Sequence, residues 1–263
     1  MNENVWIAFL LSAAAGLSTG IGGLLAVFTK KTNTRFLTFA LGLSAGVMVY
    51  ISLIEMMPQA GELLSLGLGA RRGEFYRLLF FFLGMALIAV IDKLIPESEN
   101  PHEAANWEGG SNQTNLKRAG VLTALAVSIH NFPEGLASFV STLRNVEMGL
   151  PIVLAIAVHN IPEGIAVAAP LYYSTGKKGK ALFMSLLSGV AEPIGALLGY
   201  LVLMPYMSDT LYGILYAAVS GIMVFISFDE LLPSAERYGE HHVAVAGVIV
   251  GMLIMAISLV MFS

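Results

Sequence analysis

Apolar stretches long enough to cross a bilayer follow one another along almost all of this 263-residue chain. A helical span needs about 20 apolar residues. A chain built this way must satisfy its backbone hydrogen bonds internally, which leaves only helices or a closed barrel. A barrel would be written in alternating segments of roughly 10 residues, and no such alternation is present. Hydrophobic residues make up 56% of the chain and charged residues 12%, against about 25% charged in soluble domains. The fold class expected is therefore all-α, a polytopic membrane protein with its spans in lipid. One transmembrane domain covers 1–263.

Length and flanking polar residues place eight transmembrane helices: Val5–Phe28, Phe36–Met57, Leu78–Ile95, Ala119–Thr142, Met148–Leu171, Lys180–Met204, Leu211–Leu232 and Val243–Phe262. No basic segment precedes the first apolar run, and its cations follow it, so it reads as a first span and not as a cleaved leader. The longest polar connection, 96–118, is rich in Glu, Asn, Gly and Ser and is expected to be a flexible cytoplasmic loop. Lys and Arg set orientation. With both termini outside, the inner connections hold Lys30, Lys31, Arg35, Lys93, Lys117, Arg118, Lys177, Lys178, Lys180 and Arg237. The outer ones hold Arg71, Arg72, Arg77 and Arg144, so that orientation is expected. No basic patch carries interleaved aromatics, which argues against a nucleic acid partner. There is no cysteine, so any metal site must use nitrogen and oxygen ligands.

Two internal echoes stand out. "HNFPEG" at 130–135 returns as "HNIPEG" at 159–164. "GVMVYISLIEMMPQA" at 46–60 returns as "GIMVFISFDELLPSA" at 221–235, in register. The members of each pair sit on spans that cross in opposite senses, which predicts an inverted-repeat organisation. Inverted repeats with binding groups near the midplane are a transporter signature.

Positions i and i+4 share a helix face, so His130 projects with Glu134 and His159 with Glu163. Both pairs, and Glu192 of "GVAEPIGA", fall near the centres of their spans. An ionised side chain there costs on the order of 3 kcal/mol even on the lenient insertion scale. Three such carboxylates need protons, cationic partners or a metal, and no Lys or Arg lies at that depth. Two imidazoles and two carboxylates suit Zn²⁺ and other divalent first-row ions. Asn131, Asn160, Glu163 and Glu192 are placed to form an adjacent second position, expected to be weaker. Pro133, Pro162 and Pro193 each free a carbonyl one turn back, which opens polar backbone beside the ligands.

Glu55, Asp229 and Glu230 fall near opposite ends of their spans, where acids would attract cations. His241 and His242 read as a solvated loop, and His102 is assigned no role. An intramembrane metalloprotease would carry HExxH with Glu as general base. Asn131 and Asn160 occupy that place, so no enzyme is expected. A proton-driven carrier of another solute, with His and Glu as relays, is the remaining alternative.

The paired HN-x-PEG helices, the Glu-Pro of span six and the eight-span layout resemble the ZIP (Zrt/Irt-like) metal transporters over essentially the whole chain. The resemblance implies a bacterial plasma-membrane protein that takes up Zn²⁺, with tolerance for Fe²⁺, Mn²⁺, Co²⁺ and Cd²⁺, and no prosthetic group. It implies a substrate site of His130, Glu134, His159 and Glu163, and a neighbouring one of Asn131, Asn160, Glu163 and Glu192. It also implies an elevator-like movement of the ligand-bearing helices against the other spans, and a homodimer in some members. The chain departs from some relatives in carrying His159 and Asn160 where they carry Gln and Asp.

Overall fold

The computed structural model describes residues 3–28, 34–94, 113–236 and 240–262. Every regular element among them is helical. They form eight rods: α1 Glu3–Phe28, α2 34–68, α3 Ala70–Leu94, α4 Gln113–Arg144, α5 Val146–Thr175, α6 178–206, α7 209–236 and α8 His241–Phe262. Among the described residues, seven of them are long and apolar enough to cross a membrane, all but α4. At 32 residues α4 has the length. It adds Ser138, Ser141 and Thr142 to the His, Asn and Glu that α5 also carries, all of them buried inside the protein and not turned to lipid.

Two boundaries differ from expectation. The segment between spans two and three is not a polar loop: α2 continues to Leu68 and α3 starts at Ala70. Gly69 alone joins them, at φ 83°, a backbone that glycine adopts without a Cβ clash. Helix α4 starts at Gln113, so the last residues of the 96–118 loop are helical. Residues 96–112 lie outside those described, as do Lys30, Lys31, His102 and Arg237.

The rods sort into two groups of four. Helices α1, α4, α5 and α6 pack on one another, while α2 and α7 form the middle of the other group, with α3 against both and α8 chiefly against α2. The main seams between the groups run along α2–α5 and α4–α7. In lipid no hydrophobic drive separates helix from solvent, so association depends on close backbone approach at small residues. Those approaches come in matched pairs. A Cβ at Gly164 of α5 would lie 1.9 Å from the Thr19 carbonyl of α1, and one at Gly135 of α4 would lie 2.0 Å from the Glu192 carbonyl of α6. Gly46 of α2 meets the Val248 carbonyl of α8, and Gly221 of α7, its partner in the sequence echo, meets the Phe81 carbonyl of α3. Gly16 and Gly189 meet each other's carbonyls across α1 and α6.

Three rods contain π-helical stretches: Ile51–Met56 in α2, Gly199–Leu203 in α6 and Ser227–Leu231 in α7. The first and last fall at matching positions of the 46–60 and 221–235 echo. Such insertions are rare and concentrate at functional sites. Helices α2 and α7 are antiparallel neighbours. Gly67 approaches Thr210, Gly213 approaches Leu64, and the Ser220 hydroxyl donates to the Ser52 carbonyl at 2.8 Å.

Candidate metal centre

Helices α4 and α5 are joined by Asn145 alone and pack side by side. The helical backbone runs through Pro133 and Pro162 without interruption. The hairpin brings the two HN-x-PEG motifs face to face, and the contacts cross between helices. His130 Nε2 lies 3.5 Å from Glu163 Oε1, and His159 Nε2 lies 3.2 Å from Glu134 Oε2. All four side chains are at most 2% exposed. Neither ring nitrogen of either histidine, and neither oxygen of either carboxylate, makes a hydrogen bond.

That combination is costly by itself. A buried polar atom without a partner forfeits its hydration with nothing in return, and a buried charge more so. Ligand atoms of Glu134, His159 and Glu163 lie within 4.8 Å of one another, close enough to share one ion. His130 faces the same Glu163 but also turns Nδ1 towards Glu230 Oε2 of α7, at 3.3 Å. It stands at the edge of the trio, linked to the second group of helices.

The asparagines do something different. The Asn131 amide donates to the Ser188 carbonyl of α6 at 3.1 Å, and the Asn160 amide to the Ala15 carbonyl of α1 at 2.9 Å. Asn160 also donates to Glu192. These bonds hold the α4–α5 hairpin to α1 and α6. They leave Asn131 Oδ1, Asn160 Oδ1 and Glu192 Oε2 buried and without hydrogen-bond partners. Glu192 follows a break in α6: helix Lys178–Gly189 ends, and Ala191–Leu198 restarts with Glu192 and Pro193 in its first turn.

Of the seven residues expected from sequence, Glu134, His159 and Glu163 converge most tightly, His130 adjoins them, and Asn131, Asn160 and Glu192 line the side facing α1 and α6. Sequence reasoning placed Glu230 at a mouth; it reaches the centre itself. The signal was the 46–60 and 221–235 echo, which set a buried acid on α7 in register with Glu55. Glu55 is half-buried and accepts from Gln59 of its own helix. His241 lies 2.7 Å from Glu236 and is exposed, away from the centre.

A family model described as ZIP Zinc transporter matches residues 94–259. The zinc transporter ZupT of Streptococcus mutans is 56% identical over 263 residues, covering all of both chains. The zinc transporter ZupT of Chlorobium chlorochromatii is 54% identical over 268 residues, again over the whole of both. That of Clostridium perfringens is 52% identical over 277 residues, covering 99% of this chain and 97% of the other.

Proposed function

The chain belongs to the ZIP zinc transporter family, and from that premise we propose how this multi-pass membrane protein takes up zinc. The ion is held between α4 and α5 by Glu134, His159 and Glu163, with His130 completing the set. The observation that carries this reading is the eight buried nitrogen and oxygen atoms of these four residues, none with a hydrogen-bond partner. A divalent cation satisfies them together, and two carboxylates with two neutral imidazoles balance its charge. Nitrogen and oxygen ligands also accept Fe²⁺, Mn²⁺, Co²⁺ and Cd²⁺, which are further substrates on this reading.

Alternating access supplies the cycle. The group α1, α4, α5 and α6 carries the ion, and α2, α3, α7 and α8 form the frame along which it slides. The matched glycine approaches support reading the chain as an inverted repeat, in which α1 exchanges with α6, α2 with α7, α3 with α8, and α4 with α5. They also support counting α4 as a span, since the exchange pairs it with α5. Under this exchange the two states of the cycle are each other's counterparts, as in other repeat-built carriers.

The test is a flux series in proteoliposomes at two external pH values. Zinc is expected to accumulate inside, and more slowly at the lower pH, because imidazoles must be deprotonated to bind metal. Current carried by an organic solute without metal would defeat the reading.

The adjacent position built on Asn160 and Glu192 is the weaker one. Two ions bring four positive charges to three carboxylates, and Asn160 contributes none. The variant Asn160→Asp adds the missing charge beside Glu192 and gives up the two bonds that the amide donates, so its yield and monodispersity are checked first. It is expected to raise bound zinc in detergent from about one ion per chain towards two. Metal analysis after equilibrium dialysis reads this directly, and an unchanged stoichiometry would remove the second position.

A further inference from the structure

Glu230 and Glu55 occupy the same place in the two copies of the α2/α7 repeat. Each lies in a π-helical stretch, Ile51–Met56 or Ser227–Leu231. Each precedes a proline by three residues, Pro58 or Pro233. His130 and His159 are likewise counterparts in the α4/α5 repeat. Yet the contacts are unequal. His130 Nδ1 lies 3.3 Å from Glu230. The ion-pair contact of His159 is made by Nε2 to Glu134 of the opposite ligand helix, and Glu55 is engaged by Gln59 of its own helix.

The level of α5 on α2 accounts for the difference. Ser44 of α2 donates its hydroxyl to the His159 carbonyl, at 3.5 Å. Glu55 is eleven residues further along the same helix, about 16 Å at the helical rise. On the other seam the equivalent pair, His130 and Glu230, is already in contact. The glycine approaches obey the repeat, while the His–Glu contact between the two groups of helices is made on one seam and not on the other.

We propose that Glu55 is an ion-handling residue equivalent to Glu230, and that the opposite state of the cycle pairs His159 with Glu55 while His130 leaves Glu230. This rests on the reading of α4 and α5 as the ion's site. Each histidine then has two carboxylate neighbours: one from the opposite ligand helix, in reach throughout, and one from the frame, in reach in a single state. The ion passes from the buried trio towards whichever frame carboxylate its histidine has met. Part of the distance between Ser44 and Glu55 is covered by the His159 and Glu55 side chains, and a slide of α5 along α2 covers the rest. The π-helical stretch sets the carboxylate off the regular helical register, so that it faces the seam at the end of that slide.

The absence of cysteine makes the test direct. The full-length variants His130→Cys/Glu230→Cys and His159→Cys/Glu55→Cys are treated in membrane vesicles with mercuric ion, which bridges neighbouring thiols. Protection from a maleimide mass label is then read. Both pairs are expected to be protected. Protection of 130/230 with free labelling of 159/55 overturns the proposal, and so does free labelling of both.

A single variant gives an independent reading. Glu55→Gln is expected to lower zinc uptake at least tenfold while zinc affinity in detergent stays within about twofold of the parent. Unchanged uptake overturns the role of Glu55 and leaves the four-residue site standing. Lost binding overturns it too, because Glu55 would then belong to the resting site or to the fold. Failure of the site itself is read elsewhere, as retained zinc binding in Glu163→Ala.

Discussion

Glu163→Ala is expected to abolish zinc uptake in vesicles that retain normal amounts of folded protein. Glu163 is the carboxylate that both halves of the centre share: it faces His130 at 3.5 Å and belongs to the trio with Glu134 and His159. It is 1% exposed and neither of its oxygens has a hydrogen-bond partner, so its removal unmakes no bond that the fold relies on. On the proposed reading, what it removes is half of the negative charge set against the ion. Truncating one member of a buried charge set at a binding contact costs about 2–5 kcal/mol, or roughly one and a half to three and a half decades of affinity at 1.4 kcal/mol per decade. Radiotracer uptake should fall to the background of empty vesicles, and zinc binding in detergent should fall with it. His130→Ala is expected to abolish uptake as well, since it removes a ligand and the contact with Glu230. Full uptake in both variants would defeat the assignment of the site.

The centre was legible in sequence because lipid makes its residues conspicuous. Histidine and glutamate at helical spacing, twice, inside apolar runs have few physical explanations. The i, i+4 rule placed each His with the Glu of its own helix. The structure pairs His130 with Glu163 and His159 with Glu134 instead, because the one-residue turn at Asn145 folds α5 back against α4. Which helix faces which is a tertiary fact that no periodicity contains, and apolar-all-round helices erase the little that periodicity offers. The same lack hid the path of α2 through Leu68. Nothing in "PQAGELLSLGLG" forces a helix to stop before Gly69, and the second span was expected to end at Met57, where the helix simply continues. The π-helical stretches had no sequence signal of their own. They became visible only as a repeated departure at matching positions in α2 and α7.

The second large effect concerns the fold, and it follows from how little space separates α1 from its partners. Gly164→Val is expected to remove most of the folded protein from the membrane fraction. A Cβ at Gly164 would lie 1.9 Å from the Thr19 carbonyl and 3.0 Å from Ser185 Oγ. The carbonyl is rigid helical backbone, so the helices must part. Ordinary overpacking costs about 1–3 kcal/mol when side chains can yield; here the obstruction is main chain, and the cost is at the top of that range or above it. Parting α1 from α5 also stretches the bond from Asn160 to the Ala15 carbonyl, at 2.9 Å, and pulls apart the Thr19 and Gly164 carbonyls that the Ser185 hydroxyl of α6 bridges, at 2.7 Å and 3.3 Å. In lipid those bonds have no water to replace them. The loss therefore runs from packing to the amide that holds the ligand hairpin in place. Gly179→Val is the control: nothing lies within 4 Å of a Cβ there, and normal yield is expected. Detergent extraction followed by size-exclusion chromatography reads both variants. A monodisperse Gly164→Val protein at parental yield would mean that α1 and α5 do not approach this closely, and the tie between the ligand hairpin and α1 would fall with it.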